Sequence, residues 1–380
     1  MKKIRTAFIG LGYRGASLLK LVDKIDAYHV VAIAEPNPLA LSNLKHCLSD
    51  DAPLLEIYSD GEEAYVDMLE NEKVDLVFIS SPWQFHYAQA TEALSAGCNV
   101  ALEVKGSLFE GEYQRLQQLA ERNRLKIYPL ENTVFMRNVM AIGRMVEEDV
   151  FGEIIFAQGG YRHDIRDVLI DEKGEYKLPW RAAYYETENA DIYPTHSVAP
   201  LCLMLKINRG NSFKSLTSFA TKSVGLKTRM SDLKSSVPNY ALGDVVTTVI
   251  GTLTGAQITL FHDTTLPRPR SLSYEIQGTR GAWNDDLKSI YLEGISPYEQ
   301  WEPEAKYVER YEHPFWAKWG REALVYDEHH QGMDYIMLVA LVADFVGEEV
   351  YPINIADLAT WGDISLLSKK SIAERRTLDL

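Results

Sequence analysis

Cysteine is scarce in this chain of 380 residues: Cys47, Cys98 and Cys202 stand far apart, with no C-x-x-C pair among them. That excludes a disulfide framework and a thiolate metal site. No run reaches about eighteen uninterrupted apolar residues, the length a membrane-spanning helix needs, so no membrane partner is expected. Basic residues are also in deficit, 39 Lys and Arg against 54 Asp and Glu, for a formal net charge of −15. Nucleic-acid backbones and anionic membrane surfaces require basic patches, so neither is expected as a partner. The pattern H-E-x-x-H is missing and no helical metal triad is visible, so no metal is expected. The opening MKKIRTAFIGLG has the basic start of a signal peptide, but Gly10, Gly12 and Arg14 interrupt its apolar run. It reads as a first strand rather than a targeting segment. The expected location is therefore cytoplasmic, with a removed export leader the alternative.

What the chain does hold is length, and 46% hydrophobic residues with which to build a core. Two domains are expected, over residues 1–132 and 133–380, with the last helix a candidate to pack back on the first. In the first, the apolar run Ile4–Ile9 leads into GLGYRG and then a helical pattern through Leu18, Leu19 and Val22. Gly10, Gly12 and Gly15 form G-x-G-x-x-G in the strand–turn–helix setting that places a pyrophosphate at a helix N-terminus. A second strand pattern, His29–Ala34, ends at Glu35, twenty residues past Gly15. An acidic residue there accepts from the ribose hydroxyls and repels a 2′-phosphate, which predicts NAD rather than NADP. Strand and helix patterns then alternate as far as Pro129. This predicts a Rossmann-type doubly wound parallel sheet of the α/β class, with ligands beyond the strands' carboxyl ends. Those ends hold Ser81–His86, Glu103 and Asn132.

Beyond a helix expected over Val139–Glu148, the segments 153–161, 213–224, 244–252, 256–263 and 271–279 are rich in β-branched and aromatic residues. They predict an α+β domain around a large, mostly antiparallel open sheet, with a further hairpin at Gly278–Gly281. A broad apolar sheet face needs cover, so a homo-oligomer, dimer or tetramer, is expected. Polar residues that a core would not choose concentrate in YRHDIR (161–166), WR (180–181), DIYPTH (191–196) and TTLPRPR (264–270), with HPFW (313–316) and HHQGMD (329–334) added to them. Together they read as a pocket for a polyhydroxylated substrate.

These motifs resemble the glucose-fructose oxidoreductase / inositol dehydrogenase (Gfo/Idh/MocA) family. They resemble most its branch of NAD-dependent glycoside hydrolases, family 109, typified by α-N-acetylgalactosaminidase. The matches run in order through both domains: GYRG (12–15), SPWQFH (81–86), LEV (102–104), LEN (130–132), FGEIIFAQGGYRHDIR (151–166), WR, YPTH (193–196), INRG (207–210), LPRPRS (266–271), QGTRG (277–281) and GMD (332–334). The resemblance implies that Arg14, Gly15, Glu35, Trp83, Gln84, Phe85, His86, Glu103, Val104 and Asn132 hold the cofactor. It implies that Tyr161, Arg181, Tyr193, Thr195 and His196 face the substrate, with Tyr193 also near the nicotinamide. Ordinary dehydrogenases of the wider family place a proton-relay lysine where this chain has Val104. Lys105 is one step late, and strand alternation predicts that it faces elsewhere. The hydrolases usually carry THGLGP where this chain reads Thr195-His196-Ser197-Val198-Ala199-Pro200, so a stiffer loop is expected. Arg270 stands where they tend to carry a tyrosine, which shifts the expected substrate toward an acidic or differently substituted sugar.

The implied chemistry is hydrolysis without net redox. Hydride leaves sugar C3 for NAD+, the C3 ketone acidifies the C2 proton, and its removal expels the C1 substituent. Water then adds and the hydride returns. His196, of the residue type whose unperturbed pKa lies near neutrality, is the expected base; Tyr193 aligns the C3 hydroxyl and Tyr161 the ring. Arg181 binds a hydroxyl, acetamido or carboxylate oxygen, and Asp164 and Asp191 are candidate orienters. Two other readings remain open: a net sugar or cyclitol dehydrogenase, and a sensory or structural protein that holds NAD without turnover.

Overall fold

Short, mostly apolar runs such as IRTAFI (4–9) and LVFI (76–79) become parallel strands of the first sheet. In the computed structural model, which describes residues 3–42, 44–49 and 54–380, the chain divides into two units. The first unit gathers Met1–Val104, Gly111–Met136 and Pro314–Ala359; the second gathers Lys105–Glu110, Arg137–His313 and Thr360–Leu380.

In the first unit, β1 (Ile4–Ile9), β2 (Tyr28–Ala34), β3 (Glu56–Tyr58), β4 (Leu76–Ile79), β5 (Asn99–Leu102) and β6 (Ile127–Pro129) lie in the order β3-β2-β1-β4-β5-β6. All five pairings are parallel. A parallel sheet is covered on both faces, and accordingly every residue of β4 is buried. The strand order reverses between β1 and β4, where such sheets open a ligand crevice at the carboxyl ends. Two late helices, Pro314–Tyr326 and Met333–Phe345, belong to this unit, and the second is buried nearly all round. Tyr28 anchors it by donating its hydroxyl to the Leu338 carbonyl at 2.9 Å.

The second unit is built on nine strands: β7 (Ile154–Arg162), β8 (Phe213–Ala220), β9 (Val245–Thr252), β10 (Gln257–Asp263), β11 (Glu275–Gly278), β12 (Gly281–Asn284), β13 (Ser289–Leu292), β14 (Glu302–Pro303) and β15 (Leu378–Asp379). Their order is β14-β13-β12-β11-β7-β10-β9-β8-β15, and only β7 and β10 pair in parallel. The expected hairpin at Gly278–Gly281 is the antiparallel β11–β12 pair. Strand β9 alternates half-buried and buried residues along its length, the signature of a sheet with one covered face. A helix, Thr195–Met204, packs on β7 and β10. It approaches so closely that a Cβ on Gly159 would lie 2.0 Å from the Ser197 carbonyl oxygen. That approach is the reason for a glycine in FAQGGYR. Among the described residues, no helix is long and apolar enough to cross a membrane.

This helix corrects an expectation. The stretch from Pro194 to Pro200 is not a stiff loop: Pro194 caps a helix that begins at Thr195 and tolerates Pro200 inside it. A proline in that place lacks the N–H that would bond to the carbonyl four residues back, that of His196. The Tyr274 hydroxyl donates to the same carbonyl and replaces the missing donor. Tyr274→Phe keeps the ring and removes that donor. A loss of about 1–3 kcal/mol in unfolding free energy is expected, read from denaturant titration.

Candidate active site

The first unit meets the steric demands of a dinucleotide cradle. Gly10 adopts φ +89°, and a Cβ there would lie 2.6 Å from the Ser81 amide nitrogen. A Cβ on Gly15 would lie 2.2 Å from the Gly10 carbonyl oxygen, whereas above Gly12 nothing lies within 4 Å. Gly12 caps the helix Tyr13–Asp23 without a side chain, so the first-turn amides remain available to phosphate oxygens. Glu35 closes the loop from the other side: its carboxylate accepts from the Leu11 amide at 2.6 Å and the Asn37 amide at 2.7 Å. A cleft of about 610 Å³ opens here, lined by Leu11, Gly12, Tyr13, Asn37 and His329 among others. These residues fit an NAD-type dinucleotide, with Glu35 the residue expected at its ribose.

In the same unit, Arg14 donates to Glu103 at 2.7 Å and is clasped by both oxygens of Asp334. Asn132 donates to Asp334 at 2.8 Å, and His330 Nδ1 lies 2.7 Å from it. Asp334 is fully buried. Burial alone would raise its pKa, but the charge and hydrogen bonds of Arg14, with His330, hold it far below the usual carboxylate range. Thus three of the expected cofactor residues, Arg14, Glu103 and Asn132, are assembled around one aspartate. Ser81 accepts at its carbonyl from His86 Nε2 at 2.8 Å, if that nitrogen carries the proton, and its hydroxyl donates to Gln89. Trp83 and Val104 are buried, Phe85 is half-buried and Gln84 is exposed.

In the second unit the expected substrate residues converge from three elements. Tyr161 comes from the end of β7, Arg181 from the helix Pro179–Thr187, and Tyr193 and His196 from either side of the Pro194 cap. The Tyr161 ring centroid lies 4.8 Å from Tyr193 and 5.6 Å from His196, and Tyr193 lies 4.9 Å from His196. Arg181 sits over Tyr193 with its guanidinium carbon 5.6 Å from the ring centroid. Burial opposes its charge, yet Tyr161, Tyr185 and Tyr193 outweigh that and hold its pKa above the ordinary value. Arg181 also donates to the Tyr161 hydroxyl. His163 stands 6.3 Å from Tyr161, its pKa lowered by burial and then by Arg270 and Arg181. Arg270 itself is exposed and Thr195 is fully buried at the start of its helix. Asp164 is engaged elsewhere, accepting from Arg166 at 2.9 and 2.8 Å.

Asp191 accepts from the Tyr193 amide at 3.2 Å, and burial pushes its pKa up to about 7. The sign follows: the folded pKa lies above the unfolded one near 4, so the fold is favoured while Asp191 is protonated and weakened as pH rises through about 7. Asp191→Asn removes that dependence. Between about pH 5 and about pH 8 the variant is expected to lose less stability than the parent, by a few kcal/mol, in melts taken across pH.

Comparison with known proteins bears on both units. Residues 4–129 match the oxidoreductase family with an NAD-binding Rossmann fold, and residues 135–379 match the glycosyl hydrolase 109 C-terminal domain. An alpha-N-acetylgalactosaminidase of Tannerella forsythia is 37% identical over 97% of this chain and 84% of its own length. A glycosyl hydrolase family 109 protein of Stenotrophomonas maltophilia is 34% identical over 98% and 87%. The chain belongs to glycoside hydrolase family 109. It is an enzyme, and its cofactor is NAD. The fold is shared with more distant structures: an NAD-binding oxidoreductase from Klebsiella pneumoniae (TM-score 0.73, 16% identity, 99% of both chains) and the scyllo-inositol dehydrogenase of Lactobacillus casei with NAD(H) and scyllo-inositol (0.69, 14%, 100% of this chain and 99% of that one).

Against this family background, two features escape sequence reasoning. Asp334 lies in the polar stretch HHQGMD, but its place as the acceptor shared by Arg14, Asn132 and His330 is not legible there. Tyr185, whose hydroxyl lies 2.9 Å from Thr264 Oγ1 and which also bonds Arg181, is hidden in the run AAYYET. Lys105 departs from the strand alternation expected of it. Strand β5 ends at Leu102, so there is no alternating strand to turn Lys105 away from Val104; both residues are buried. Asp327, His330 and Asp334 bring three ligand-type atoms within 4.8 Å of one another. Arg14, Asn132 and backbone amides already use the carboxylates of this group.

Proposed function

We propose that the protein is an NAD-dependent glycoside hydrolase acting on a hexopyranoside through transient oxidation at C3. The observation that carries this reading is the cluster of Tyr161, Tyr193 and His196 rings with Arg181 against it, in a chain of family 109. Bound NAD+ supplies a hydride acceptor for C3 and a hydride donor once the glycosidic bond has broken.

The protein's own groups handle protons and position. Tyr193 aligns the C3 hydroxyl, whose proton passes to His196 and on to solvent as the hydride leaves C3. With C3 a ketone, the C2 proton is acidic; its loss to the now neutral His196 expels the C1 substituent, which leaves with a proton from water. Water adds at C1, giving a proton to solvent, while C2 regains its proton from the same imidazole; the hydride then returns to C3 and solvent protonates the C3 oxygen, so the sugar leaves at its original oxidation level. Tyr161 and Arg181 fix the ring, Arg181 through a hydroxyl, acetamido or carboxylate oxygen. Thr195 supports the same wall. No pair of carboxylates is needed, unlike the usual glycosidase arrangement. The relative named alpha-N-acetylgalactosaminidase points first to N-acetylhexosaminides, and Arg270 near His163 points to acidic substituents. Ile155 and Phe219, exposed on β7 and β8, are apolar side chains that a homo-oligomer would cover.

The test is nitrophenol release from α- and β-linked N-acetylhexosaminides, galactosides, glucosides and uronides with added NAD+, recorded together with NADH absorbance. Release without lasting NADH supports the cycle and names the sugar. Steady NADH growth on free sugars without release replaces it with a net dehydrogenase. Silence in both channels favours binding without turnover.

A further inference from the structure

Strand β10 buries Ile258, Leu260 and His262 on one face. The first two are what a core face requires. The third is an imidazole 1% exposed, with no hydrogen-bond partner on either nitrogen. A neutral imidazole carries one donor and one acceptor, and burying both unmatched costs stability that a leucine there would not lose. Burial first, then the charge of Arg181, pushes its pKa down to about 3, which favours the neutral ring.

Its position is not arbitrary. The parallel register sets His262 directly beside Tyr161, with ring centroids 6.3 Å apart, at the side of the aromatic cluster. Arg181 acts electrostatically on His262 and at the same time donates to the Tyr161 hydroxyl. A sugar that draws the Tyr161 hydroxyl to itself takes that acceptor away from the guanidinium. An unprotonated imidazole nitrogen beside Tyr161 is a replacement acceptor, and an imidazolium would not be.

We infer that His262 is a positioning residue of the sugar site, accepting from Arg181 when Tyr161 turns to the substrate. This rests on the sugar-pocket reading above. It also explains why a polar ring stands where the β10 pattern calls for a leucine.

The test compares His262→Phe, which keeps the ring and removes the acceptor, with His262→Gln, which restores one, with Arg181→Lys, and with the double variant Arg181→Lys/His262→Phe. The readouts are kcat and KM on the aryl glycoside that is cleaved, and calorimetric binding of N-acetylgalactosamine, galactose and galacturonate to the NAD-loaded protein. His262→Phe is expected to raise KM and weaken sugar binding roughly 10–100-fold, the worth of a charge-assisted hydrogen bond. Its kcat changes far less, and His262→Gln recovers most of the loss. The double variant is expected to be no worse than the weaker single one, because both act through one contact. If His262→Phe fails to fold, His262→Asn, with a shorter amide that withdraws the acceptor, takes its place and must raise KM in the same way. An unmoved KM and sugar affinity in folded His262 variants, with Arg181→Lys impaired, overturns the role of His262 and leaves the pocket standing. If Arg181→Lys also leaves both unmoved, or no sugar binds the parent protein, the sugar-pocket reading falls and this inference with it.

Discussion

His196→Gln is expected to lower nitrophenol release by about 10²–10⁴-fold, with NAD still bound, because it removes the group proposed to move protons at C3 and C2. The geometry sets this size. The imidazole is half-buried, 4.9 Å from Tyr193 and 5.6 Å from Tyr161, on the first turn of the helix Thr195–Met204. Its backbone is pinned by Tyr274 through the carbonyl that Pro200 leaves without a donor. Glutamine fills similar space and hydrogen-bonds, but it cannot take up and return a proton near neutral pH. Steady-state turnover and single-turnover NADH appearance separate the steps. If the loss lies in the C3 oxidation, both fall together. If it lies in elimination, NADH forms and persists. A fall smaller than about tenfold would move the base to another group, Tyr193 first.

Asp334→Ala should cost about 3–5 kcal/mol of stability, since it strands a partly buried arginine and removes the acceptor shared by Arg14, Asn132 and His330. NADH affinity should drop with it, because the residues released are among those proposed to hold the cofactor. Asp334→Asn, which keeps a neutral acceptor, should lose less on both counts. The pH dependence has a definite sign. The Asp334 carboxyl is held well below its ordinary range in the folded protein, so its contribution is complete above the unfolded value near 4 and is lost as pH falls through the folded one. The gap between parent and Asp334→Ala should therefore persist at neutral pH and narrow only in acid. Denaturant melts at several pH values, with a fluorescence titration of NADH, check both statements. A gap that widened in acid would contradict the ion-pair account.

Much of the cofactor unit was legible in the chain because its signals are local. Gly10, Gly12 and Gly15 are spaced by the turn they make, and Glu35 by the length of one helix and one strand. Strand patterns such as LVFI in β4 report burial on both faces without knowledge of any neighbour. Motif order through both halves carried the family, and with it Tyr161, Arg181, Tyr193 and His196 as a group. Local signals fail where a distant partner overrides local preference. The sequence around Pro194 and Pro200 reads as a stiff loop, because nothing nearby shows that Tyr274, 78 residues past His196, supplies the donor a helix would lack.

From the sequence alone came the α/β class, the NAD cofactor and the candidates for its site, since backbone turns, strand periodicity and motif order act over a few residues at a time. The tertiary structure decided which carboxylates serve which cations. Asp334 reaches Arg14 across 320 positions of chain, whereas Asp164 pairs with Arg166 two residues away. It also placed His262 against Tyr161 through strand register. Charge pairing and register are properties of what folding brings together, and no spacing along the chain encodes them.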